Sequence, residues 1–370
     1  MTVVALRGFA LDLTAPLSTA AGDIAAREGL LVRVDLGGTP GVGEATPLPG
    51  WTESLADCRA ALERARDEGT PPGPGTPAAR HAVTLAYRDA VARRRGESVA
   101  ASLARDGDAP ASVPVNATVG DAGVEGTVAA AERAVGAGYR TLKLKVGARP
   151  VAEDVRRVRA VADAVVGGRG DGGSGRETVR LRADANGAWD RAEAREALAS
   201  LAGLVEYVEQ PLPAADLAGH AALRGVGAPV ALDESLTRYG VGDALAAGAA
   251  DAVVLKPMAL GGPSRALAVG RAAAHAGVAP VVTTTVDAAV ARTAAVHVVA
   301  ALPDGDESTG GADEDDGAGD EGYPDVAHGL ATGDLLAADL IDEDPVPVED
   351  GRIAVPPGAG LAGDAFDDLL

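Results

Sequence analysis

Along the middle of the chain, short runs of β-branched and apolar residues alternate with longer stretches whose apolar positions recur at helical spacing. The short runs predict strands at residues 113–119, 141–146, 179–183, 205–209, 229–233, 252–256 and 280–285, with a weaker eighth near 328–332. Between them VEGTVAAAERAVGAG, VAEDVRRVRAVADAV, RAEAREALASLAG and PSRALAVGRAAAHAG carry the period of helices packed on one face. Strand–helix alternation of this kind builds parallel β-sheet. The strand ends keep a regular distance: Asp184 to Glu209 is 25 residues, Glu209 to Asp233 is 24, and Asp233 to Lys256 is 23. One βα unit of a barrel takes about that many, since roughly 250 residues make eight of them. Four consecutive strand ends therefore carry a chemically active group, and C-terminal strand ends are where barrel enzymes keep their active sites.

Two intervals are too long. The Gly-rich stretch 167–177 reads as a flexible surface loop, and 304–322 has no basic residue and almost nothing apolar, so it reads as a solvated acidic spacer. Ahead of the alternating region lies an α+β pattern: strands near 3–13 and 30–36, the segment GVGEATPLPGW, then helices near 54–68 and 76–95. The expected organisation is a capping domain over residues 1–110, completed by about 340–370, and a barrel over 111–339 with the acidic insertion at 304–322.

Composition narrows the function. With 370 residues, 47% of them hydrophobic, a sizeable core is no difficulty. No apolar run reaches the roughly 20 residues of a membrane span, and the start MTVVALRGFALDL lacks the pattern of a signal peptide. The single cysteine, Cys58, excludes an intramolecular disulfide and fits a reducing cytoplasm. A net charge of −21 argues against nucleic acid as a partner. Of the 33 basic residues only Lys143, Lys145 and Lys256 are lysine. An acidic, arginine-for-lysine composition is expected of a protein adapted to high salt, and GC-rich coding produces the same bias. Under either pressure, the lysines that remain mark places where arginine will not serve.

Lys143 and Lys145 alternate on one strand, so both point the same way, into the barrel. Two ammoniums that close are expected to depress each other's pKa and make a usable base. Asp184, Glu209 and Asp233 each close an apolar strand, where an unpaired carboxylate is costly. A lone strand-end acid can be a helix cap; three, one unit apart, offer hard oxygen ligands for a divalent cation such as Mg²⁺. Arg182 shares a strand face with Asp184 and is expected either to orient a substrate carboxylate or to pair structurally inside the barrel. His81, His220, His275, His297 and His328 have no metal-ligand spacing and read as packing or surface residues. GVGEAT falls short of a dinucleotide fingerprint.

The ordered series KLK, DAN, VEQP, DES and LKP resembles the enolase superfamily in its muconate-lactonizing branch, over nearly the whole chain. The resemblance implies an α/β fold, a modified TIM barrel of (β/α)7β form with an α+β capping domain. It also implies Mg²⁺, for which Mn²⁺ can substitute, on Asp184, Glu209 and Asp233, and a small-molecule carboxylate substrate. Its chemistry is removal of the proton next to that carboxylate. Within the branch, residues 41–54, 281–291 and 327–336 are similar to the o-succinylbenzoate synthases, with Thr283, Thr284 and Thr285 where that family has serines. That likeness implies syn-dehydration with Lys145 as base, Lys256 stabilising charge and Lys143 tuning Lys145. Arg182, Asn186, Thr284, Thr285 and Gly262 are the candidate substrate contacts. N-acylamino-acid racemase, dipeptide epimerase and muconate-type cycloisomerase are the alternatives in the same superfamily. A dipeptide epimerase is expected to carry an Asp-x-Asp pair at the seventh strand end, which this sequence lacks. Oligomeric state stays open.

Overall fold

The computed structural model describes residues 2–19, 22–104, 109–166, 178–302 and 326–370. The stretches 167–177 and 304–322, for which a loop and an acidic spacer were expected, lie outside the described residues. Strands β1 (Thr2–Thr19), β2 (Gly22–Leu36) and β3 (Thr39–Ala45) form an antiparallel sheet in that order. The tight turn into β3 needs positive φ at both central positions, and Gly37 and Gly38 supply 60° and 88°. Helices α1 (Leu55–Asp67) and α2 (Pro77–Arg95) pack on this sheet, and α3 (Val99–Leu103) follows. Ser54 caps α1 by accepting from Asp57 N. Gly41 and Gly43 let α2 lie directly on β3, because a Cβ at either would collide with the carbonyl of Ala86 or Ala82.

Strand β4 (Ser112–Pro114) leads to β5 (Ala117–Val119). Alternation then runs α4 (Val124–Gly136), β6 (Thr141–Lys145), α5 (Val151–Val165), β7 (Arg180–Asp184) and α6 (Arg191–Leu201). It continues with β8 (Val208–Glu209), α7 (Leu217–Leu223), β9 (Val230–Leu232), α8 (Val241–Ala246) and β10 (Ala252–Leu255). Helices α9 (Pro257–Leu260) and α10 (Pro263–His275), strand β11 (Ala279–Val282) and helix α11 (Ala289–Ala300) complete it. Among the described residues β5 to β11 make one seven-stranded parallel sheet in sequence order. Its two edges meet through residues 328 and 329. His328 N donates to Pro114 O at 2.9 Å, Asn116 N to His328 O at 3.0 Å, and Gly329 N to Val282 O at 2.9 Å. The fold is therefore α/β, a (β/α)7β modified TIM barrel beside an α+β cap.

Several expected strands are shorter than the apolar pattern suggests. The eighth, expected near 328–332, is reduced to these two bridging residues. The strand expected over 113–119 breaks in two, because its halves take different partners. Its first half, β4, pairs instead with β13 (Arg352–Ala354), which is antiparallel to β12 (Val348–Glu349). Of the strand expected over 205–209, only Val208–Glu209 is β8.

Alternation along the strands sorts the site from the core. Leu142, Leu144, Leu181 and Ala183 pack outward against Val155, Val158, Ala194 and Leu198 of the helix layer. Their neighbours Lys143, Lys145, Arg182 and Asp184 take the other face. Helix α11 is buried on every side, wedged among Leu31, Val42 and Leu85 of the cap and Val282 of the barrel. A helix apolar all round shows no amphipathic period, so α11 was not among the helices expected from the sequence.

Candidate active site

Register brings the first group together. Lys145 on β6 sits beside Asp184 on β7, which sits beside Glu209 on β8. Lys143 Nζ lies 2.9 Å from Asp184 Oδ2 and 2.8 Å from Glu209 Oε1. Lys145 Nζ reaches Asp184 Oδ2 at 2.7 Å and Asn186 Oδ1 at 2.7 Å. Asn186, held at φ 45°, passes the network on by donating to Glu234 Oε1 at 2.9 Å. Further round the barrel, Lys256 pairs with Asp233 and its ammonium stands 3.3 Å from the centre of the Trp51 ring. Gln210 Oε1 accepts from the backbone N–H of both Asp233 and Ser235, at 3.0 and 3.1 Å, and so fixes the fifth strand end. All three lysines of the chain thus end on strand-end carboxylates.

Burial sets the electrostatics. It would push Asp184 up, but the Lys143 and Lys145 ammoniums outweigh it and hold this carboxyl below its ordinary value. Burial pushes Glu209 up to about 7, with Asp184 and Asp233 adding repulsion against the pull of Lys143. Burial likewise raises Asp233 to about 6 against the pull of Lys256. Lys143 corrects the sequence expectation. Burial opposes its charge, yet Asp184, Glu209 and Asp233 together raise its pKa well above the ordinary lysine value. These three carboxylates decide its charge, so mutual depression by Lys145 does not. Lys145 is the most open ammonium, its side chain 36% exposed against 19% for Lys143 and 9% for Lys256.

The other candidate contacts are placed differently. Asn186 belongs to the lysine–carboxylate network. Arg182 is buried and spends its guanidinium on Glu206 Oε2 at 2.6 Å and Ala327 O at 2.7 Å, under the ring of Tyr207. It braces β7 against the segment that closes the barrel, which is the structural alternative for this residue. Thr284 shares a hydrogen bond with Thr332 at 2.9 Å, and Thr285 donates to Asp287. Gly262, at φ 131°, opens α10 against Thr84 of α2. Trp51, Gln210 and Glu234 were not singled out from the sequence. Trp51 had a signal, as one of two tryptophans in a chain with 2% aromatics.

The donor set suits a hard divalent cation: three buried carboxylates on neighbouring strand ends, all oxygen ligands. Glu234 adds a fourth acid whose Oε2 has no hydrogen-bond partner. Each of the three closes onto a lysine here, and among the described residues no three His, Cys, Asp or Glu side chains are grouped to hold an ion as they stand. The chemistry of the set fits a cation that displaces these ammoniums.

A family model described as Enolase C-terminal domain-like matches residues 126–365. The chain belongs to that family. A protein of Thermobifida fusca named o-succinylbenzoate synthase is 39% identical over 243 residues, covering 64% of this chain and 65% of that protein. The match thus spans less than two thirds of the relative's length. The L-Ala-D/L-Glu epimerase of Bacillus subtilis, solved as a substrate-liganded complex, is 26% identical with a TM-score of 0.74 over 98% of both chains. A dipeptide epimerase of Enterococcus faecalis, solved with Mg and the dipeptide L-Leu-L-Tyr, has a TM-score of 0.78 at 23% identity, over 98% of this chain and 99% of that one. That last likeness speaks to the enolase-family fold alone. No helix among the described residues is long and apolar enough to cross a membrane.

Proposed function

We propose that this chain is an o-succinylbenzoate synthase, dehydrating 2-succinyl-6-hydroxy-2,4-cyclohexadiene-1-carboxylate to 2-succinylbenzoate and water. One observation carries the chemistry: the only three lysines of an arginine-rich chain all meet carboxylates at neighbouring strand ends. The name of the Thermobifida fusca relative supports the choice of substrate. Lys145, the most open of the three, takes the proton beside the substrate carboxylate in its amine form. The ring carbon–hydrogen bond breaks, a double bond forms, and the carbon–oxygen bond to the hydroxyl breaks. The same ammonium returns the proton to the departing hydroxyl, so that water leaves from the face where the proton was taken. Asn186 steadies the Lys145 nitrogen between these two acts. Lys256, pressed against Trp51, adds positive charge where the enediolate develops. Before a cation binds, Lys143 keeps Asp184 and Glu209 together. Asp184, Glu209 and Asp233 would hold Mg²⁺, which when bound supplies Lewis-acid stabilisation of the substrate carboxylate.

The purified protein, incubated with Mg²⁺ and the cyclohexadiene carboxylate, is expected to produce the aromatic product, read by absorbance. Racemisation of an N-acylated amino acid without dehydration would select the second reading, favoured by two lysines that can serve as bases at separate strand ends.

With a net charge of −21, surface carboxylates repel one another until salt screens them. The melting temperature is expected to be higher in molar KCl than in dilute buffer, and excision of 304–322 to leave turnover intact. Equal melting in both buffers would remove the high-salt reading. Cys58 is buried and free, which supports a cytoplasmic setting.

A further inference from the structure

Helix α11 has an alanine, Ala288, at its N-cap and no capping side chain of its own. The cap comes from the other sheet. Glu44 on β3, fully buried, accepts from Ala288 N through Oε1 and from Ala291 N through Oε2, both at 2.9 Å. The Thr46 hydroxyl donates to the same carboxylate. Gly41 and Gly43, against α2, put Val42 and Glu44 on the face turned toward α11. Burial and the neighbouring Asp287 carboxylate push Glu44 up to about 7, against the pull of the Thr46 hydroxyl and the two helix N–H groups.

A second set of bonds joins the same two regions. Arg27, only 2% exposed, donates through Nε to Val286 O at 3.2 Å. It also donates through Nη1 to Pro47 O at 3.2 Å and through Nη2 to Thr46 O at 2.8 Å. Val286 has φ 59°, a conformation in which a β-branched residue is strained and which persists only where its surroundings dictate it. Thr284 Oγ1 accepts from Val286 N at 3.3 Å, and Thr285 donates to Asp287. The strained turn after the seventh barrel strand is thus tied to residues 46 and 47. These begin the loop that carries Trp51 to Lys256.

We propose that Glu44 is a positioning residue: by capping α11 from the cap sheet it holds the 284–287 turn and the Trp51 loop as one latch, and so sets Trp51 over Lys256. The effect on turnover rests on the lysine chemistry above; the latch itself does not. Glutamine at position 44 keeps the shape but turns an NH2 toward an N–H that needs an acceptor. Valine at position 46 keeps the volume and removes only the hydroxyl bond to the carboxylate, a milder change that leaves the fold intact.

The experiment uses the full chain with Trp189→Phe, so that Trp51 is the only tryptophan. Acrylamide quenching of its fluorescence is measured in this background and with Glu44→Gln or Thr46→Val added, circular dichroism reporting the fold. Quenching is expected to rise at least twofold in Glu44→Gln and by less in Thr46→Val. Turnover is expected to fall by roughly 10- to 100-fold in Glu44→Gln, with kcat and KM both affected, as when a closing loop is misplaced. Background-level quenching in folded Glu44→Gln overturns the latch; should that variant not fold, background-level quenching in Thr46→Val does so. Raised quenching in a protein with no dehydratase activity would keep the latch and reject the proposed reaction.

Discussion

Lys145→Arg is expected to lower turnover by about 10²–10⁴-fold, the usual cost of losing a general base. Guanidinium stays protonated at any working pH and cannot accept the substrate proton. The substitution is otherwise mild, because Asp184 and Asn186 offer oxygens that an arginine can also meet. Lys256→Arg should be impaired to a similar order, for a different reason. The compact ammonium between Asp233 and the Trp51 ring would become a broad planar cation, displacing charge from where the enediolate forms. A structural role for these lysines predicts the reverse, since arginine fills every other basic position in the chain. Turnover is measured with circular dichroism confirming the fold. Wild-type rates in Lys145→Arg would leave the proposed mechanism without a base.

Glu209→Gln is expected to abolish turnover and weaken Mg²⁺ binding by at least the 10–100-fold seen when merely a supporting group is removed. Its fold should survive. The Glu209 carboxyl is already pushed up to about 7 by burial and by Asp184 and Asp233, so a neutral side chain is tolerated there. Without metal the variant should melt no lower than the parent, because Lys143 keeps Asp184 at 2.9 Å. Calorimetry is the direct test, and unchanged Mg²⁺ affinity in the variant would sink the proposed metal set.

What could be read in advance follows from the range of each interaction. The barrel was legible because each βα unit is a local object of fixed length, so Asp184, Glu209, Asp233 and Lys256 fall in step along the chain. Their side chains are brought to one end by register alone. Nothing local marks Glu44 as a helix cap, since its partners Ala288 and Ala291 are far along the chain and contribute only backbone N–H groups. The break between β4 and β5 depends on residues 352–354 pairing with 112–114, which no short window contains. Strand alternation places Lys145 beside Lys143, and from that alone the two are expected to depress each other. Alternation does not say that Asp184 and Glu209 both come within 3 Å. Arg182 was assigned to an inward face correctly, but its partner Glu206 lies below the strand ends rather than at them.

The slender closure at residues 328 and 329 has a consequence for how the chain is made. Synthesis runs from the N-terminus, and domains tend to fold as they emerge. The strand that His328 completes, beside Val115, is among the first of the barrel to leave the ribosome, while His328 itself follows all seven sheet strands. Until it arrives the nascent sheet has two bare edges, the form most prone to pair with a neighbouring chain. Residues 1–303 are close to neutral, and most of the chain's net charge of −21 sits in 304–370, so self-repulsion adds little protection until the acidic stretch 304–322 emerges just ahead of His328. The acidity thus reaches the nascent sheet only as the barrel is about to close.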